Sequence, residues 1–174
     1  YAVESERYRH YVYYLLKLAD IYRYDNDYES SNRCVQVADQ YNIHFTLSDT
    51  HIYKSLVLSN MINLGKDSLL CVQYADEYIK EYPQYDMIRW HIIAKVYLYA
   101  GFPDKAYEML LNYDNYSNVN FDAAYYGILS DILTQIGKHQ DALEAHHKFT
   151  ELVKQVDVAR HNSNGMSNSF AFFT

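Results

Sequence analysis

Three glycines set the frame of this chain. Gly65, Gly101 and Gly137 stand 36 residues apart in both intervals, and they head the similar stretches GKDSLL, GFPDKA and GKHQDA. Glycine reaches the left-handed backbone conformation that ends a helix without a steric penalty. A helix terminator that recurs at a constant interval implies one supersecondary unit repeated along the chain. Asp25-Asn26-Asp27 adds a turn 39 residues before Gly65, built from residue types that favour turns and caps. The rest of the chain has few turn formers, with five Gly and two Pro in all, which disfavours an all-β fold.

Between these turns the apolar residues recur at helical spacing. The clearest unit is WHIIAKVYLYAGFPDKA, from Trp90 to Ala106. Trp90, Ile93 and Tyr97 form a stripe, Ala94 is small enough for a second helix to cross close by, and Pro103 suits a helix start. This pattern resembles the tetratricopeptide repeat (TPR), which opens W-x-x-L-G-x-x-Y and has a period of roughly 34 residues. The resemblance implies an all-α fold, an α-solenoid of about four TPR-like hairpins and about eight antiparallel helices. The spacing predicts helices over 7–24, 28–42, 46–64, 67–82, 85–100, 103–114, 121–136 and 139–160. Leu15, Leu18, Ala19 and Tyr22 match the signature in the first unit, and Tyr126, Leu129, Ser130 and Leu133 match it in the fourth. Ser31, Ala106 and Ala142 take the small position of the partner helix. Two positions depart from the pattern. Lys54 stands where the third unit has Trp90, and Leu70 stands where a small residue is expected, so it should push its helix pair apart. Residues 1–160 are read as the repeat domain. Residues 161–174, rich in Asn and Ser, are read as a loop or frayed tail whose Phe170, Phe172 and Phe173 dock on the last hairpin or begin a further element.

Composition narrows the function. A hydrophobic fraction of 49% is not that of a disordered chain. The net charge of -7 and the lack of a basic stripe argue against nucleic-acid binding. No stretch approaches the roughly 20 apolar residues of a membrane span. The chain opens at Tyr1 without Met or a signal-like segment and reads as an excised piece, so anchoring and targeting signals lie outside it. No phosphate loop, nucleophile elbow, HExxH or CxxC spacing occurs. His146 and His147 are adjacent and diverge by about 100° on a helix. Neither a metal, a cofactor nor catalysis is therefore expected. Cys34 and Cys71 read as buried free thiols. The 21 tyrosines fill helix interfaces, and those left outside make good binding platforms.

The resemblance places the first helix of each pair along a concave groove. The groove positions it implies are Tyr13, Leu16, Asp20, Arg23 and Tyr24 in the first unit, and Ser55, Ser59 and Asn63 in the second. In the third they are His91, Lys95 and Tyr99, and in the fourth Gly127, Asp131 and Gln135. The set lacks a dense cationic clamp for a peptide carboxylate, so an extended or helical protein segment is the expected partner. The end of the array, ALEAHHKFTELVKQVDVARHNSN, is similar to the last repeat of sensor regions in gut Bacteroidetes regulators, through Ala142, Leu143, His146, Phe149 and Leu152. That similarity implies an extracytoplasmic sensory domain of a membrane-anchored two-component or transcriptional regulator; without it, a cytoplasmic scaffold is the reading. A small-molecule or glycan sensor using the Tyr-rich face, and a structural dimerisation spacer, stay open as alternatives.

Overall fold

The computed structural model describes residues 2–82, 89–111 and 119–170, with side chains described in all of these except 2–4, 119–122 and 157–170. Every regular element in them is helical. In order these are α1 (Ala2–Tyr24), α2 (Tyr28–Asp39), a 3₁₀ turn (Asn42–His44), α3 (Leu47–Asn63), α4 (Ser68–Glu81), α5 (Trp90–Tyr99), α6 (Pro103–Leu111), α7 (Val119–Gln135) and α8 (His139–Phe170). The chain divides into two compact units, Tyr1–Phe102 and Pro103–Thr174.

The repeated turn is the same object four times. Asn26, Gly65, Gly101 and Gly137 all have positive φ, at 60°, 66°, 80° and 80°. The N–H one residue further on donates back to the last turn of the helix, Asp27 to Tyr22, Lys66 to Met61, Phe102 to Tyr97 and Lys138 to Leu133, each at 2.9 Å. The N–H of the left-handed residue itself donates to the carbonyl three residues back, at 3.0–3.2 Å. Together these two bonds satisfy carbonyls that a helix end would otherwise leave open. A Cβ added at any of the three glycines would meet nothing within 4 Å. Glycine is needed there for its φ and not for space. Asn26 takes the same role because Asn tolerates the left-handed region better than most residues.

After the first two turns an aspartate caps the partner helix. Asp27 and Asp67 accept from the backbone N–H of Ser30 and Leu70, both at 3.0 Å. Thr46 and Asp49 form a reciprocal capping box at the start of α3. The fourth residue of each partner helix is then Ser31, Cys71, Ala106 or Ala142, at 0%, 0%, 0% and 5% exposure. This corrects the expectation for Leu70, which is 51% exposed and pushes nothing apart. In the other three turns the partner helix begins two residues after the left-handed residue. In the second, Lys66 is inserted between Gly65 and Asp67, and the small position moves on by one, to Cys71.

In unit 1, α1 packs on α2, α3 touches α1, α2 and α4, and α5 touches α3 and α4. One core joins Val12, Leu16 and Ala19 of α1, Val35 and Ala38 of α2, and Leu56 of α3. In unit 2, α7 packs on α6 and α8. There the small positions meet: Ser130 Oγ donates to the Ala142 carbonyl at 3.1 Å. Gly127 lets the Phe149 ring approach to 3.3 Å of where its Cβ would lie.

Two boundary expectations change. Helix α1 starts at Ala2, not near residue 7, and α8 continues to Phe170, through the stretch expected to be a loop after Arg160. The apolar 3-4 pattern Phe149, Leu152, Val156, Ala159 runs up to Arg160, and the helical backbone continues beyond it. The expected docking of Phe170, Phe172 and Phe173 falls on side chains outside the described set, as do residues 83–88 and 112–118.

Replacing Gly101 with Ala should cost about 1–2 kcal/mol, the penalty of a left-handed L-residue, and Gly101→Asn should cost less, since Asn26 fills that role natively. Leu70→Ala should stay within about 0.5 kcal/mol as a surface change, whereas Cys71→Leu should cost about 1–3 kcal/mol by overpacking. Urea midpoints of the four variants check both orderings.

Candidate functional site

The candidate site is the row of polar side chains on α1, α3 and α5 of unit 1. Its anchor is Asp20, which comes half-buried from the last turn of α1. Arg23, one turn further on, donates through Nε at 2.9 Å and holds Nη2 at 2.8 Å from the same carboxylate oxygen. From the start of α5, Arg89 brings Nη1 to 3.6 Å of that oxygen. One carboxylate thus joins α1 to α5, past the α3 row. All three side chains are under one fifth exposed, where charge–charge attraction is weakened less by water than at an open surface. The Arg23 guanidinium also lies over the Tyr24 ring at 4.3 Å.

His91 lies in the first turn of α5, two residues after Arg89. It is 8% exposed. Burial pushes its pKa down from 6.5 to about 3, and the neighbouring charges of Arg89, Arg23 and Lys95 push the same way. Its imidazole is therefore neutral at physiological pH.

The expected groove positions divide in three. Asp20 and Arg23 form the cluster with His91, and Lys95 is half-buried beside it. Tyr13, Tyr24 and Tyr99 are 41–52% exposed; the Tyr99 hydroxyl donates at 2.9 Å to the carbonyl of Lys66, in the preceding repeated turn. Leu16, Ser55, Ser59 and His91 are buried, which corrects the expectation that they line open surface. For Ser55 and Ser59 the reason is the crowding of α3, which packs against α1, α2, α4 and α5; Leu16 belongs to the core shared by α1, α2 and α3. Serine there spares volume, and the Ser55 hydroxyl turns to its own helix, donating to the Ile52 carbonyl at 2.8 Å; Asn63 does likewise, its Nδ2 donating to the backbone carbonyl of Ser59 at 2.7 Å. In unit 2, Asp131 and Gln135 are exposed on α7. Gly127 faces Phe149 and does not line a groove.

Two features escaped sequence reasoning. Arg89 precedes the helical stripe and was not a groove position by spacing. Lys54, the departure at the Trp90 position, heads a cluster of its own. Its Nζ is 2.5 Å from Glu81 Oε2 and 5.6–5.8 Å from the ring centres of Tyr74, Tyr78 and Tyr82. A cation packed among tyrosine faces replaces the indole, and its hydrogen bond holds the Glu81 carboxyl below its ordinary pKa. Beside it, the Tyr78 hydroxyl lies 2.7 Å from Nδ1 of the buried His51. Burial, together with Lys54, lowers the His51 pKa. On α4, the Asp76 carboxylate accepts from the Tyr97 hydroxyl of α5. The free thiols of Cys34 and Cys71 have raised pKa values, chiefly through burial.

Separate from the polar row, Arg7, Tyr8, Tyr11 and Tyr41 line a cleft of about 510 Å³. Tyr8 stacks on Tyr41 and on His44, with ring centres 5.4 and 5.0 Å apart. Among the described residues no group of three or more His, Cys, Asp or Glu is placed to hold a metal ion. No described helix is long and apolar enough to cross a membrane. Comparison of the chain with known protein families, with curated proteins and with solved structures gives no match.

His91 carries a pH signature. Its folded-state pKa is depressed, so below pH 6.5 the unfolded chain takes up a proton that the folded chain refuses, and stability falls with pH. From pH 6.5 down to about 4.5, above most carboxylate titration, His91 should contribute a slope of up to ~1.4 kcal/mol per pH unit. His51 adds to it in the same direction. In His91→Gln the slope of urea midpoint against pH should flatten; an unchanged slope would show that His91 titrates freely in the folded chain.

Proposed function

We propose that the chain is a non-catalytic interaction module of TPR-like hairpins that binds a protein segment along the polar row of unit 1, within a larger membrane-anchored signalling regulator. The observation that carries this reading is the Arg23–Asp20–Arg89 bridge. It fixes groups from two separate helices in one place before any ligand arrives, which lowers the ordering cost of binding. Tyr24 and Tyr99 flank the row with large, partly exposed rings that add contact area at small entropic cost. The TPR assignment is supported by the signature positions and by the four equal turns. The regulator assignment is supported by the similarity of the last repeat alone.

A second reading is favoured by the cleft at Tyr8, Tyr11 and Tyr41. Stacked aromatic faces beside an arginine suit a small molecule or glycan with an acidic group, which would make the module a ligand sensor. The aromatic surface lies at the start of α1 and not at Tyr13, Tyr24 and Tyr99, so the two readings use different residues.

Selection of binding peptides from a random display library, followed by calorimetry, separates them. Arg23→Ala and Lys95→Ala should weaken a selected peptide about tenfold or more, the loss of a charged hydrogen bond, while Tyr8→Ala leaves it unchanged. The reverse pattern would favour the cleft, and equal affinity in all three would remove both sites.

A further inference from the structure

The turns are unevenly spaced in one place. The left-handed residues Asn26 and Gly65 stand 39 positions apart, against 36 in each of the next two intervals. The surplus lies between the small position of the partner helix and the buried position seven residues before the next turn. Ser31 to Leu58 is 27 positions, whereas Cys71 to Ala94 is 23 and Ala106 to Ser130 is 24. Within that longer stretch the chain makes the 3₁₀ turn Asn42–His44. Extra residues in one unit of a repeat array map to loops on one face, often the face that binds.

The longer connection supplies one wall of the aromatic cleft. Tyr41 precedes the 3₁₀ turn and His44 ends it, and their rings stack on Tyr8 of α1 at interplanar angles of 23° and 17°. The Tyr11 ring, one turn along α1, meets Tyr41 edge-on. Two stacked neighbours occupy the Tyr8 ring, so what it offers a guest is its edge and its hydroxyl. Among the described residues nothing hydrogen-bonds to the hydroxyls of Tyr8, Tyr11 and Tyr41 or pairs with the Arg7 guanidinium. This level of the array stays open even where a hairpin precedes it. Counted back from their turns, Arg7, Tyr8 and Tyr11 correspond to Thr46, Leu47 and Thr50 of α3. With a hairpin before it, α3 still leaves Thr46 and Leu47 exposed and Thr50 half-buried.

We propose that this cleft binds a sugar acid of the hexuronate class. The proposal rests on the second reading above, a ligand cleft at Tyr8, and is independent of the polar row. The volume of about 510 Å³ falls within the roughly 300–1,000 Å³ of small-molecule sites. Three phenol hydroxyls and one guanidinium stand around a lining that is otherwise mostly ring carbon. A pyranose is amphipathic in the same way, with hydroxyls at its rim and C–H groups on its faces, and such a face packs on the exposed Tyr11 ring. A flat aromatic acid would stack best on the Tyr8 face, and Tyr41 and His44 already hold that ring. Arg7 selects the acid over a neutral sugar, because a guanidinium grips a carboxylate with paired, charge-assisted hydrogen bonds.

The test is an NMR titration of the intact chain with glucuronate, glucose, benzoate and acetate, each from about 0.1 to 20 mM, a range that reports millimolar affinities. Glucuronate should shift the amide signals of Tyr8, Tyr11, Tyr41 and His44, and glucose should bind there about tenfold more weakly. Arg7→Gln should cut the glucuronate affinity about tenfold and leave glucose unchanged. Tyr11→Ala should weaken both sugars. Arg7 and Tyr11 are exposed, so both variants should keep the wild-type circular-dichroism melt. Should Tyr11→Ala melt early, Tyr11→Phe keeps the ring, drops one hydroxyl and should still weaken both. Glucuronate shifts no larger than those from acetate would overturn the proposal and leave an adventitious ion only. Benzoate bound at the cleft with glucuronate silent would overturn the sugar class and keep the cleft as a site for small acids. Silence at the cleft with every probe would overturn the sugar and the cleft reading together, and the polar row would be untouched.

Discussion

The left-handed turn and its pair of backward hydrogen bonds fix the geometry of everything else. Each ends a helix within one residue, satisfies carbonyls that would otherwise be open, and sends the chain back along the helix it has just left. A hairpin of this kind buries one face against itself and presents the others to neighbours. Once the turn recurs at nearly constant spacing, the small residues fall opposite one another. Ala19, Leu58, Ala94 and Ser130 stand seven residues before the four turns, and all are buried. The Ser130–Ala142 bond shows how near the two backbones then come.

The parts of the fold that were legible in the sequence are those set by local chemistry. The glycines announce the turns because no other residue adopts their φ so readily. Asn26, flanked by two aspartates, could be read as a turn for the same reason. The cap residues and apolar periodicity place the helices to within a few residues at most ends. Cys71 was missed because a single inserted residue, Lys66, changes the count from turn to crossing point, and no propensity records it. The length of α8 was missed because Asn, Ser and Gly disfavour a helix only modestly and do not by themselves end one.

The candidate site was less legible, because it depends on which neighbours enclose a helix. Spacing put Ser59 and His91 on the row with Asp20 and Lys95, and the structure buries both of them. Spacing does not say that α3 packs against four other helices, and enclosure decides whether a polar side chain meets solvent or its own backbone. Asn60 shows the same limit. Its equivalents in the other units are Ile21, Val96 and Ile132, yet its amide is buried with no hydrogen-bond partner among the described residues. A buried amide without partners costs stability, and nothing in the sequence marked that position as unusual beyond the residue itself. Arg89 was invisible for a different reason: it acts from outside the helical period, reaching back to a carboxylate 69 positions earlier in the chain.

The bridge from Asp20 to Arg89 has a mechanical side. It joins two helices that are both stacked against a third, so it works as a strut against bending of that stack. Hydrophobic packing between neighbouring helices is indifferent to salt at moderate concentration, but a strut made of charge is softened by it. Because its three side chains are under one fifth exposed, that softening is small, and the strut ties its two helices together across ordinary ionic strengths.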